Sequence, residues 1–79
     1  MNYYVYVLRS LKTGKHYIGI SKNPEKRLKE HNKGDSKFTK GHRPWVLVYK
    51  EFVGNRLKAR VKEKELKRSY TKRKNFIPG

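Results

Sequence analysis

The first apolar run, Tyr3 to Leu8, is dominated by aromatic and β-branched side chains, which suit a pleated and largely buried strand. Lys12-Thr13-Gly14 then supplies turn chemistry, with a glycine free to take positive φ. A second strand, His16 to Ile20, is predicted to fold back antiparallel. Asn23 suits a helix cap, Pro24 the first helical position and Glu25 the first turn. Pro24, Leu28 and His31 recur at helical spacing before Asn32 and Gly34 stop the helix. Residues Asp35 to Pro44 have no clear period and contain Gly41 and Pro44, so they read as a loop. Alternation returns from Trp45 to Val53, with Val46, Val48 and Lys50 opposite Leu47, Tyr49 and Glu51, and predicts a third strand. A strongly charged helix follows from Asn55 to about Lys72, in which Ala59, Glu63, Leu66 and Tyr70 fall in one stripe.

The order strand, strand, helix, strand, helix predicts a small α+β domain with helices flanking a three-stranded antiparallel sheet. No internal repeat or low-complexity linker divides residues 1–79, and a chain of this length is expected to form one domain burying about 60% of its unfolded surface. The last stretch, Thr71 to Gly79, is basic and expected to fray at its end.

Charge changes the picture from fold to partner. With 22 Lys and Arg against 6 Asp and Glu, the formal charge is +16, and such a field attracts polyanions. Nucleic acid is the leading partner class, and the field alone does not separate RNA from DNA. A ribosome-associated structural protein or a lysine-rich surface that keeps the fold soluble has the same composition. No basic amphipathic helix with a bulky apolar face and no membrane-length run occurs, so a membrane partner is not expected. The chain has no cysteine, which excludes disulfides, thiolate nucleophiles and cysteine-ligated zinc. The N-terminus lacks the apolar stretch of a secretory signal, so a cytoplasmic location is expected.

Against this background, Glu63 stands out because acids are so few: Mg²⁺ keeps several waters and takes one or two protein carboxylates with substrate phosphates. The plain alternative pairs Glu63 with neighbouring lysines on an exposed face. Tyr6 and Tyr17 carry phenols that are poor bases at neutral pH unless a cation helps, and strand tyrosines are commonly core residues. Whether the two share a face depends on the hairpin register, which alternation leaves open. Arg27 and His31 lie one helical turn apart, offering a phosphate fork and a group that exchanges a proton near neutral pH. A surface charge and a helix-end histidine are the plain alternatives. In the loop, Lys37, Lys40, His42 and Arg43 beside Phe38 and Trp45 suit phosphate contact, or a solvated connection whose aromatics tuck into the core.

Taken together, Tyr4-Val5-Tyr6, Tyr17-Ile18-Gly19, Arg27 and Glu63 resemble the GIY-YIG nuclease family, in particular its small single-domain bacterial members related to the nuclease domain of the excision-repair endonuclease. The helix text from Glu25 to Asn32, the loop text from Lys37 to Gly41, and Arg43-Pro44-Trp45 leading into Leu47-Val48-Tyr49 extend the likeness over nearly the whole chain. The resemblance implies a divalent-metal-dependent DNA endonuclease of repair or recombination, hydrolysing phosphodiester bonds with Mg²⁺ or Mn²⁺. By resemblance, Tyr6 and Tyr17 line the site, Gly19 permits close packing, Arg27 stabilises phosphate charge, Glu63 binds the cation, and His31 stands where many relatives carry another tyrosine. Asn75 follows Glu63 at the interval of an active-site asparagine in excision-repair relatives. The chain departs from the pattern at Tyr4, where the name-giving glycine stands, and after Gly19, where those relatives often carry lysine and Lys22 is the nearest substitute. Many relatives append a separate DNA-binding domain, so target choice is expected to be weak or supplied by a protein partner. Lys22, Lys37, Lys40, Arg43 and Asn75 are the expected nucleic-acid contacts. A non-catalytic nucleic-acid-binding module that keeps the fold is the alternative reading.

Overall fold

A computed structural model describes residues 2–72. The elements run β1 (Tyr3–Ser10), β2 (His16–Ser21), α1 (Pro24–Lys33), a short 3₁₀ turn (Lys40–His42), β3 (Trp45–Gly54) and α2 (Arg56–Lys72). The strands form one antiparallel sheet in the order β2-β1-β3, so the aromatic first strand is the centre of the fold. Its central position explains its composition: Val5, Tyr6, Val7 and Leu8 are all fully buried, because both faces of the middle strand are covered.

Alternation along β1 divides the core in two. Val5 and Val7 pack with Ile18 against Leu66 and Tyr70 of α2, together with Ile20 and Val53. Tyr6 and Leu8 point the other way and pack with Trp45, Tyr17, Leu47 and Leu28 of α1. Each fully buried large side chain contributes on the order of 1.5–3 kcal/mol by leaving water. The stripe expected on α2 is real: Ala59 is fully buried, and Glu63, Leu66 and Tyr70 are half-buried along the same side.

The turn and cap chemistry fixes the ends. The Ser10 hydroxyl accepts the Lys12 and Thr13 amides at 3.1 and 2.9 Å, so β1 runs two residues past its expected end at Leu8 before the hairpin turns. The Asn23 side chain accepts the Lys26 amide at 3.2 Å, and Gly34 closes α1 in the left-handed region at φ 90°. Asn32, expected to help stop that helix, lies inside it. Among the described residues, no helix is long and apolar enough to cross a membrane.

Candidate active site

The hairpin register answers what alternation left open. Leu8 pairs with Tyr17 and Tyr6 with Gly19, so both phenols stand on the α1 side of the sheet. Their ring centroids are 6.4 Å apart. Gly19, directly opposite Tyr6, leaves the space its phenol occupies, since a Cβ there would lie 2.7 Å from the Tyr6 hydroxyl.

α1 brings the next two groups. His31 is buried, 3% exposed, with its ring 4.7 Å from that of Tyr17 and its Nε2 at 3.5 Å from the Tyr6 hydroxyl, a long hydrogen bond. Its Nδ1 lies 2.8 Å from the Thr39 hydroxyl. Arg27, one turn earlier, is more exposed and donates to Glu30 at 3.0 Å, with its guanidinium near enough to the Tyr6 hydroxyl to favour that phenol's ionised form. Arg27, Glu30, His31, Asp35 and Ser36 line an open cleft of about 250 Å³ beside the phenols.

Glu63 completes the group from α2. Its side chain is only 12% exposed, and its charge is close enough to disfavour ionisation of both Tyr6 and Tyr17. It also pairs with Lys67 at 3.3 Å and, more loosely, with Arg60 at 4.0 Å. The lysine pairing expected of this residue is present, but on a largely covered side chain rather than an exposed face, and its carboxylate lies within electrostatic reach of both phenols.

The protonation states follow from burial. Tyr6 is pushed up to about 12, chiefly because its site excludes water, with Arg27 pulling against this and Tyr17 and Glu63 adding to it. Tyr17 is raised for the same first reason. His31 is lowered by burial and then by Arg27, with Glu30 and Asp35 opposing. At neutral pH the site thus holds two neutral phenols and a neutral imidazole. Moving the Tyr6 proton to His31 is therefore strongly uphill in the free protein, because burial holds the proton on the phenol and keeps the imidazole neutral.

The expected nucleic-acid contacts divide. Lys37, Lys40 and Arg43 line one groove of about 690 Å³ together with Lys12, with no acidic residue in its walls. Arg43 is anchored there, donating from Nε to the Lys40 carbonyl at 2.9 Å and lying over Gly34, where a Cβ would meet its Nη1 at 2.8 Å. Lys22 is placed elsewhere, its ammonium 5.7 Å from the centre of the Tyr3 ring. Asn75 lies outside the described residues. The two loop aromatics also part: Trp45 is buried, whereas Phe38 is 52% exposed beside Lys37.

Two residues were not singled out by the sequence. Thr39 is fully buried against His31, and Asn32 clamps Trp45 by accepting its amide at 2.6 Å and donating to its carbonyl at 3.0 Å. Neither lies on a periodic stripe, and the Lys37 to Gly41 text was the only signal pointing at Thr39.

The family comparison agrees with this geometry. The GIY-YIG catalytic domain matches residues 2–75, most of the chain. The chain belongs to this family. Among its GIY-YIG relatives are a UPF0213 protein of Clostridium perfringens, 42% identical over 82% of this chain and 70% of its own length, and one of Staphylococcus saprophyticus, 39% identical over 82% and 79%. A UPF0213 protein of Staphylococcus aureus is 35% identical over 95% of this chain and 90% of its own. No solved structure gives a significant match. Membership in a nuclease family makes DNA the expected substrate class and a divalent cation the expected cofactor class.

A divalent cation can be tested against the donor set. Among the described residues there is no cluster of three or more acidic, histidine or cysteine side chains able to enclose a metal. One inward carboxylate next to two phenols fits a hard, mostly hydrated cation that takes its remaining ligands from water and phosphate, and does not fit zinc.

Proposed function

We propose that this chain is a divalent-metal-dependent DNA endonuclease of repair or recombination, with Tyr6, Tyr17, Arg27, His31 and Glu63 as its active site. The observation that carries the reading is that Tyr6, Tyr17, Arg27 and His31 meet on the α1 side of the sheet, while the Glu63 carboxylate of α2 is near enough for its charge to act on both phenols. A structural protein has no need to bury a phenol against a neutral histidine within the field of both a guanidinium and a carboxylate.

Glu63 would hold Mg²⁺ or Mn²⁺, which when bound would neutralise phosphate charge and acidify a water molecule. Arg27, half-exposed and permanently charged, is placed to counter the charge that builds on the phosphate. Tyr6 and Tyr17 orient the attacking water through their hydroxyls. Because Tyr6 begins as a neutral phenol of high pKa, it acts first as a hydrogen-bonding group, and it takes up a proton only after its own has moved towards His31. That move is uphill in the free protein, where burial keeps Tyr6 protonated and His31 neutral, and a bound cation would supply positive charge that favours the phenolate. The groove of Lys12, Lys37, Lys40 and Arg43 tracks the backbone away from the scissile bond. Lysine and arginine side chains of this kind suit phosphate contact, which carries no sequence information, so intrinsic sequence preference is weak and target choice comes from DNA structure or a protein partner.

The deciding experiment incubates the chain with nicked, branched and plain duplex DNA in Mg²⁺, Mn²⁺ or chelator, alongside Glu63→Gln and Tyr6→Phe. Metal-dependent products that disappear in both variants support catalysis. Salt-sensitive binding without cleavage on every substrate would instead make the chain a non-catalytic binding module.

A further inference from the structure

Thr39 is fully buried in the connection between α1 and β3, and its hydroxyl faces two groups. It donates to the Ser36 carbonyl at 3.4 Å and lies 2.8 Å from His31 Nδ1. That carbonyl is fixed by the loop itself, since it also accepts the Lys40 amide at 2.9 Å. A hydroxyl has a single proton. Directed to Ser36, it leaves only lone pairs towards the imidazole, an arrangement in which the proton between Thr39 and His31 would sit on Nδ1. A neutral imidazole carries one ring proton, and Nε2 is then a bare acceptor.

The other end of the ring agrees. Nε2 is 3.5 Å from the Tyr6 hydroxyl, and the Arg27 guanidinium lies near enough to that hydroxyl oxygen to favour negative charge on it. The phenol's own proton is therefore free to point at Nε2. With the opposite tautomer, two donors would converge on the Tyr6 oxygen, its proton would turn away, and His31 could not receive it.

Thr39 is itself held in register. Its carbonyl accepts the indole N–H of buried Trp45 at 3.0 Å, and its amide donates to Ser36 at 3.2 Å. Neither interaction needs a hydroxyl, so the Thr39 Oγ1 is a separable part of the arrangement.

We propose that Thr39 is a positioning residue of the nuclease site: its hydroxyl fixes the His31 proton on Nδ1, which leaves Nε2 bare to receive the phenolic proton of Tyr6, the imidazolium so formed keeping its Nδ1–H on Thr39. The proposal rests on the nuclease reading for its catalytic consequence and stands apart from it for the proton assignment.

The test uses the full chain, uniformly ¹⁵N-labelled, and reads the His31 ring nitrogens by long-range ¹H–¹⁵N correlation at mildly alkaline pH, beside Thr39→Val and Thr39→Ser. The wild type should show a protonated Nδ1 and an unprotonated Nε2. Thr39→Val, nearly isosteric but without an acceptor, should move population to the Nε2–H form, and Thr39→Ser should restore the wild-type pattern. On branched DNA with Mg²⁺, Thr39→Val should lower kcat by roughly 100-fold, the usual reach of a positioned proton-transfer group, while DNA affinity in chelator stays unchanged. A wild-type ring protonated at Nε2, or a Thr39→Val ring that keeps its proton on Nδ1, overturns the proposal. Should Thr39→Val fail to fold, the wild-type and Thr39→Ser spectra still decide the tautomer. A shifted tautomer with undiminished cleavage overturns the catalytic role, whereas absence of cleavage by the wild type overturns the nuclease reading and leaves the proton assignment supported.

Discussion

Gly19 lies against the Tyr6 phenol so closely that a Cβ on it would stand 2.7 Å from the hydroxyl oxygen and 2.8 Å from the carbon that bears it. The requirement is steric, because Gly19 is not among the positive-φ glycines and any residue could adopt its backbone. Tyr6 is fully buried and has no space into which to retreat. Gly19→Ala is therefore an overpacking change that should cost about 1–3 kcal/mol in urea unfolding. It should also displace the hydroxyl from His31 and lower cleavage by on the order of 100-fold, as misplacement of a reacting group does. An alanine variant of wild-type stability would show that the sheet has more slack than this close approach allows.

His31 gives the fold a pH dependence whose sign can be worked out. Burial and Arg27 lower its pKa below the ordinary value of 6.5, with Glu30 and Asp35 opposing, so the folded state binds this proton less readily than the unfolded chain does. Its neutral form contributes fully above the unfolded value, and that stability is lost as pH falls below it towards the lower folded value. Urea unfolding at about pH 7.5 and about pH 5 should show wild type losing more than His31→Gln across the interval. Equal losses would place the pH dependence in other groups.

Much of this architecture was legible because its signals are local. Asn23 before Pro24 and Gly34 after His31 mark a helix by cap chemistry alone, and the apolar run in β1 needs both sheet faces covered. The shared face of Tyr6 and Tyr17 was not legible, since it turns on a register that the Ser10 hydroxyl sets by gathering the Lys12 and Thr13 amides. In and just after the aperiodic loop, local pattern did not say which aromatic is covered: Trp45 at the start of β3 is buried and Phe38 is not. That difference comes from Asn32 and Thr39, which hold the Trp45 backbone and indole from two separate places in the chain. Local pattern carries no information about such distant partners. Lys22, expected as the nearest substitute for a lysine that relatives carry after Gly19, stands apart from the loop cations with its ammonium over the Tyr3 ring.

Asn32 should prove a stability residue rather than a site residue. Its amide satisfies both the N–H and the C=O of Trp45 at the start of β3, at 2.6 and 3.0 Å. Asn32→Ala leaves two part-buried backbone groups without these partners, for a loss of about 1–3 kcal/mol and a Tm lower by roughly 5 °C or more. Asn32→Asp should not rescue it, because a second acceptor would then face the Trp45 carbonyl. Differential scanning calorimetry on the three proteins checks this, and full stability of either variant would show that water replaces the clamp.

The basic groove makes a quantitative prediction about salt. Lys37 and Lys40 stand on a loop whose backbone is fixed by the hydrogen bond from Arg43 to the Lys40 carbonyl, so truncating either side chain removes charge without moving the chain. For every phosphate that is no longer neutralised, the slope of log K against log salt should fall by about 0.9 on duplex DNA. The double variant Lys37→Ala, Lys40→Ala should therefore flatten the slope by nearly 2, weaken binding alike on unrelated sequences, and leave the single-turnover cleavage rate at saturating DNA close to wild type. Fluorescence anisotropy over a salt series in chelator measures the slope separately from catalysis. An unchanged slope would place the DNA backbone on another face, with the groove outside its path.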